Sequence, residues 1–290
     1  MKLVTRRMDE MTSREIELYV KGGGDLAFVP FGPISGHGAL IPVGMHGHWA
    51  QALSLLLAEQ ADGLVFPVTW CCFAGATRTF RGTVSFPIDE QVKILSRIAN
   101  SLYEAGFRRT VLVGGTTPEA LGGEVAARDL FDRTERPIWF VEAARLLDAP
   151  EVKAIYEGYP GNFGETLLEL ASLRLLGRER ATPYPEWARE IKPDDGGGDQ
   201  PAEIFDEIVS LRRAGAMGFR YHTEENHGNH GTAGIEYEGR LDIEMAEEVL
   251  RKCADVLAPS LDKLTRYADW IDAHPPKYIV ATERLGENTS

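Results

Sequence analysis

Three histidines fall within twelve positions: His37, His46 and His48, in the glycine-rich segment Gly32 to His48. Imidazole is the commonest metal ligand and the commonest general base near neutral pH. Glycine lets a backbone wrap closely round a small ligand. The segment therefore has the makings of a metal or acid–base site. The competing reading is that each histidine caps a helix end or meets a backbone carbonyl. A second cluster, Arg220 to Gly231, holds His222, His227 and His230 together with Glu224 and Glu225. Its spacing matches no standard zinc motif, and a solvated polar loop would look the same. The two segments hold six of the seven histidines. Glu119 in Gly114-Gly115-Thr116-Thr117-Pro118-Glu119 and Glu165 in Gly164-Glu165-Thr166 are candidate bases or ligands, or else charges at helix N-termini. Cys71-Cys72 offers a nucleophile, or two small buried apolar residues.

These residues are useful only if folded elements bring them together. Leu26 to Phe31, Gly63 to Val68, Thr110 to Gly114 and Pro137 to Val141 read as short, continuous apolar strands. Helices are expected after the capping-box pair Thr12 and Glu15, along Trp49, Leu53, Leu56 and Leu57, and along Val92, Leu95, Ile98, Ala99 and Leu102. Further helices are expected over 203–213, 243–257 and 261–271. Alternating strands and helices with strands buried on both faces predict an α/β fold with a mostly parallel sheet. Sites in such sheets lie beyond the carboxyl ends of the strands, which are followed here by the 32–48 segment, Cys71-Cys72 and Glu119. One domain over 1–290 is expected. It has an exposed Pro-, Gly- and Asp-rich excursion at about 178–203, and a tail after about 274 that could pack on a neighbouring subunit.

The chain has 290 residues, 43% hydrophobic and 26% charged, with a net charge of −13. The acidic balance argues against nucleic acid and anionic membranes as partners. No apolar run approaches a membrane span, and the basic start at Lys2, Arg6 and Arg7 lacks the apolar stretch of a secretory signal. With 3 cysteines and no disulfide pattern, a cytoplasmic location is expected. GxGxxG, P-loop and GxSxG motifs are absent, which weakens dinucleotide, nucleotide and serine-hydrolase readings.

Several segments, in order along the chain, resemble motifs of the creatininase (creatinine amidohydrolase) family. Phe31 to His46 is similar to its "PVG-x-x-E-Q-H-G-x-x-L-P-x-x-x-D", and Phe80 to Phe86 to its "FPGT-I-S-L". Val111 to Gly115 takes the place of "VLVNGHGGN", Gly164 to Leu170 looks like the end of "HAG-x-x-ETS-x-ML", and Thr232 to Gly239 is similar to the late "ATAEKG" segment. The resemblance implies a three-layer α/β/α sandwich. It also implies a homohexameric, metal-dependent hydrolase of small cyclic amides in which two divalent metals share an aspartate. In this sequence the family glutamate falls on Ser35, its first histidine on His37 and its bridging aspartate on His46. The histidine of NGHGGN falls on Thr116, the next ligand position on Pro118, and the histidine of HAG on Pro160, while Glu165 keeps the glutamate of ETS. An unmodified dinuclear site is therefore excluded.

The resemblance then implies a hydrolase of a small polar cyclic substrate, acting through an activated water and holding one divalent metal, zinc or manganese. The metal ligands are expected to be His37 and His46, with Glu165, Glu119 and His48 as catalytic groups. Ser35, Thr116, His222, His227 and His230 are expected to bind substrate. The substrate is expected to be a cyclic amide or an oxidised inositol such as 3-dehydro-scyllo-inosose, which would place the chain in inositol catabolism. The alternative is a metal-free or inactive oligomeric ligand-binding protein on the same fold.

Overall fold

The computed structural model describes residues 3–37, 41–79, 81–159, 164–178 and 242–275. The expected excursion, the 203–213 helix, the 222–230 histidines and the tail beyond Pro275 lie outside them. Elements are numbered among the described residues: α1 Ser13–Lys21, β1 Leu26–Phe31, α2 Met45–Ala61, β2 Leu64–Val65, α3 Ile88–Glu104, β3 Arg109–Gly114, α4 Thr117–Thr134, β4 Ile138–Glu142, α5 Pro150–Tyr156, α6 Glu165–Leu175 and α7 Ile243–Ala273. The strands form one parallel sheet in the order β2-β1-β3-β4.

The central strand β1 is buried along its whole length, so alternate side chains face opposite layers. Leu26 and Phe28 join Val111 and Val113 under α2, α5, α6 and α7. Ala27, Val29 and Phe31 join Leu112 under α1, α3 and α4. This is the three-layer α/β/α sandwich with a parallel sheet that the sequence pattern and the resemblance had both indicated.

Two details differ from the sequence reading. The strand expected over 63–68 pairs with β1 only at Leu64 and Val65. Proline 67 has no N–H to give a ladder, and the chain rejoins β1 through the Thr69 N–H to the Pro30 carbonyl, 3.0 Å. The two helices expected over 243–257 and 261–271 are one helix running through Pro259. Proline removes one hydrogen bond there, yet Leu250, Cys253, Leu261 and Leu264 on either side are all buried in one core cluster. Tertiary packing overrides the local break. Helix α2 is buried on nearly all sides, because β1, α6 and α7 pack round it.

The first turn of α2 sits between the carboxyl ends of β1 and β3. Chain direction reverses at that point in the sheet order, which is the crevice where open parallel sheets place ligands. Two glycines permit the approach. A Cβ on Gly32 would stand 2.6 Å from the Gly47 nitrogen, and one on Gly115 would stand 2.6 Å from the His46 carbonyl oxygen. Both clashes are with backbone, so neither can be relieved by a rotamer change. Gly115→Ala should therefore lower the stability of the fold by about 1–3 kcal/mol, the usual cost of overpacking. A urea midpoint equal to that of the unmodified protein would show that the close approach is no constraint.

Candidate functional site

His46 is in the first turn of α2, and the chain between β1 and α2 brings His37 to face it. The two Nε2 atoms stand 3.1 Å apart, with ring centroids 4.7 Å apart. Both rings are buried. The far nitrogen of each ring has an acceptor. His37 Nδ1 meets the Ser35 carbonyl at 3.0 Å. His46 Nδ1 lies 3.1 and 3.2 Å from the two oxygens of Glu119. A carbonyl and a carboxylate can only accept, so each Nδ1 carries the hydrogen. Each Nε2 of the neutral rings then presents a lone pair to the other, and something positive must lie between them: a proton or a metal ion.

Glu119 is fully buried, at 0% exposure, in the first turn of α4. Its Oε1 accepts the Thr116 N–H at 2.6 Å, and its Oε2 accepts the Thr116 hydroxyl at 3.1 Å. It is therefore the helix N-terminal charge that the sequence allowed, and beyond that it holds His46. Thr116 Oγ1 is also 3.1 Å from His46 Nδ1. Burial works against the charged form of His46. The Glu119 carboxylate beside it, with Glu165 and Glu169 farther off, outweighs that penalty and holds the imidazole above its ordinary value of 6.5.

His48, two residues along α2, turns to a different neighbour. Its Nδ1 meets Glu169 Oε1 at 2.8 Å, and its ring lies edge-to-face with Trp70, centroids 5.7 Å apart. Glu169 on α6 is 1% exposed, and His48 is 15% exposed at its side chain. Glu165 opens α6 one turn earlier and is exposed. Ser35 is wholly buried, and its hydroxyl pairs with Thr77 Oγ1 at 2.5 Å. Cys72 is also buried. Its Sγ–H donates to the Thr69 carbonyl, and burial pushes its thiol up, so it is inert as a nucleophile at neutral pH.

The fold thus brings His37, His46, Thr116 and Glu119 into direct contact, with His48 on the same turn of helix and Glu165 within electrostatic reach of His46. His222, His227 and His230 lie outside the described residues. Sequence reasoning missed Glu169 and Trp70. A carboxylate inside the apolar run Leu167-Leu168-Glu169-Leu170-Ala171 was the available signal for the first. Among the described residues, no group of three or more His, Cys, Asp or Glu stands together in a metal-holding arrangement.

A model of the Creatininase family, described as creatinine amidohydrolase, matches residues 9–234. No curated protein sequence matches the chain. Among solved structures, the chain is similar to creatinine amidohydrolase (creatininase) at 20% identity and a TM-score of 0.60, covering 95% of this chain and 100% of that one. It is similar to a mutant creatininase of the Zn-Zn type at 20% identity and 0.59, covering 94% and 100%. It is also similar to a structure named "Creatininase Mn" at 21% identity and 0.58, covering 88% and 98%.

The raised His46 value has a consequence for the metal-free protein. The native state holds a proton that the unfolded state releases, so this contribution to stability is present below about 6.5 and is lost as pH rises through the folded-state value. In chelator-treated protein, urea midpoints should fall on going from about pH 6 to above about pH 8, and Glu119→Gln should flatten that fall. An undiminished fall in the variant would mean that Glu119 is not what holds the proton.

Proposed function

The chain belongs to the creatininase family, and from that premise we propose that it is a hydrolase of a small, polar, cyclic substrate that holds one divalent cation, zinc or manganese, between His37 and His46. The observation that supports this most strongly is the facing Nε2 pair. Two imidazole nitrogens on one tetrahedral zinc, each about 2.0–2.1 Å from it, stand about 3.3 Å apart, close to the separation found here. Both rings have the outer partner that metal-binding histidines have, a carboxylate for His46 and a backbone carbonyl for His37. The donor set fits a borderline-soft divalent ion. Glu165 or a histidine of the 222–230 segment is the third donor, while Glu119, bonded to the far nitrogen of His46, stays behind the ring.

A cation at this position polarises a carbonyl and lowers the pKa of a coordinated water. The chain's own residues do the rest. Glu119 fixes the tautomer and direction of His46, and Ser35 does so for His37. On this reading Glu165, exposed at the start of α6, would accept the proton of an attacking water and return it to the leaving group. Burial of both imidazoles keeps bulk water from competing for the cation. On this reading His222, His227 and His230 supply donors for substrate, and Thr116, whose N–H and hydroxyl both go to Glu119, offers its hydroxyl oxygen as an acceptor. A cyclic amide suits this chemistry, and so does an oxidised inositol such as 3-dehydro-scyllo-inosose, whose hydroxyls the imidazoles would meet. The reading carries with it a cytoplasmic homo-oligomer, hexameric on the family pattern, with a small molecule as its partner.

The first measurement is metal content by elemental mass spectrometry, on untagged protein purified without chelator. About one equivalent of zinc or manganese per chain is expected. His37→Ala should lose it while leaving the circular dichroism spectrum unchanged. Affinity should weaken as pH falls through the raised His46 value, because the ligand nitrogen must give up its proton. Absence of metal, with no thermal shift on adding it back, would replace the cation between the two rings by a proton. The metal-free acid–base or ligand-binding alternative would then stand.

A further inference from the structure

Helix α3 packs an apolar stripe on the sheet, and Gln91 lies in it, one turn before Leu95. Its side chain is 0% exposed. A buried primary amide is costly unless both ends are bonded, and here both are. Its Oε1 accepts the Phe73 N–H at 2.8 Å, and its Nε2 donates to the Glu119 carbonyl at 2.7 Å. Gly122 makes room for it: a Cβ there would stand 2.6 Å from the amide carbon.

The two ends lead to different histidines. From Nε2 the path runs through Glu119, whose backbone is held by Gln91 and whose carboxylate holds His46 Nδ1. From Oε1 it runs through Phe73 to Ala74, whose carbonyl accepts the Thr77 hydroxyl at 2.8 Å. With that hydrogen committed, the Ser35 hydroxyl must be the donor in its 2.5 Å contact with Thr77 Oγ1. The Ser35 carbonyl in turn holds His37 Nδ1. Thr83 braces this second limb, accepting the Gly36 N–H at 2.8 Å and donating to the Thr77 carbonyl at 2.9 Å. The two limbs meet at one buried amide.

We infer that Gln91 is a positioning residue: its amide closes an arch of hydrogen bonds that sets the separation of His37 and His46. A leucine or methionine would fill the same volume in the stripe. It would take the Gln91 acceptor from the Phe73 N–H and the Gln91 donor from the Glu119 carbonyl, and so untie the two limbs from each other. Fully satisfied buried networks of this kind rigidify their surroundings. The site they would rigidify here is one whose two nitrogens lie 3.1 Å apart, where a shift of a few tenths of an ångström decides whether a cation is shared.

The inference rests on the metal reading for one readout and is independent of it for the other. In the full-length, chelator-treated protein, long-range proton–nitrogen spectra report the Nδ1–H pattern of each histidine. Gln91→Met should erode that pattern at both His37 and His46, whereas Thr77→Val should erode it at His37 alone. In the same proteins, zinc affinity measured against a chromophoric chelator should fall about 10–100-fold for Gln91→Met, the usual cost of losing an outer partner. Leu95→Val, a destabilising change on the same helix outside the arch, should leave the affinity unchanged. Unchanged patterns in Gln91→Met, a change at only one histidine, or an equal affinity loss in Leu95→Val would overturn the inference. If Gln91→Met does not fold, an unchanged His37 signal in Thr77→Val overturns it. Failure of the unmodified protein to bind zinc would count against the metal reading, while the spectra would still decide the role of Gln91.

Discussion

Two imidazole nitrogens cannot face each other at 3.1 Å in a dry interior as bare lone pairs. In water each would find its own donor. Between β1 and β3 the neighbours on the far side of each ring are acceptors, so the near side is left to seek positive charge. Much of the surrounding architecture follows from keeping that arrangement in place. The first turn of α2 must come close enough to the sheet to point His46 at His37. Glu119 must be buried deeply enough that its charge is felt by His46 rather than screened by water. A carboxylate with 0% exposure would be expensive on its own, but it is offset by the N–H and hydroxyl of Thr116 and by the imidazole.

The parallel sheet supplies this position for a general reason. With strand order β2-β1-β3-β4, the connection after β1 leaves in one direction and that after β3 in the other, so a crevice opens between their carboxyl ends, and the first turn of α2 reaches into it. Gly32 and Gly115 stand at its two lips. Each gives up a side chain so that helix backbone can enter, and the constraint is steric rather than conformational. Trp70, on the chain that follows β2, lies against Gly47, where a Cβ would stand 2.3 Å from its ring.

The sequence displayed the histidine-dense glycine segment, the four strands and the carboxylate after β3, because these depend on local composition and on periodicity. His37 and His46 could be named from residue type alone. That they face each other could not, since their separation is set by helix entry angle and by contacts from α3 and α4, far away in sequence. Glu169 and Gln91 escaped for one shared reason. Glu169 is a single polar residue in an apolar run, Gln91 is one polar residue among the charged and polar ones that open α3, and the partner of each lies outside its own helix: His48 for the first, Phe73 and Glu119 for the second. Pattern reading scores such residues as exceptions. In the folded chain they are bonds between elements. The break read at Pro259 failed in the opposite sense, a local signal overruled by the burial of Leu250, Leu261 and Leu264.

The same geometry bears on why the family ligand pattern is altered. Two cations held a few ångströms apart need an anionic ligand between them to reduce their repulsion, and in the motif this chain resembles that ligand is an aspartate. Here His46 occupies that place. A neutral imidazole cannot bridge two cations, and it contributes no negative charge to the centre. The described carboxylates have moved outward instead: Glu119 stands behind His46, and Glu169 behind His48. Negative charge placed one bond farther out strengthens an imidazole as a donor without contacting the cation itself. It cannot compensate two adjacent dications, but it suits one. On the proposed reading, the histidine at position 46 and the burial of Glu119 are parts of the same change, from a charge-bridged pair of ions to a single ion that neutral nitrogens would hold with a carboxylate at their back.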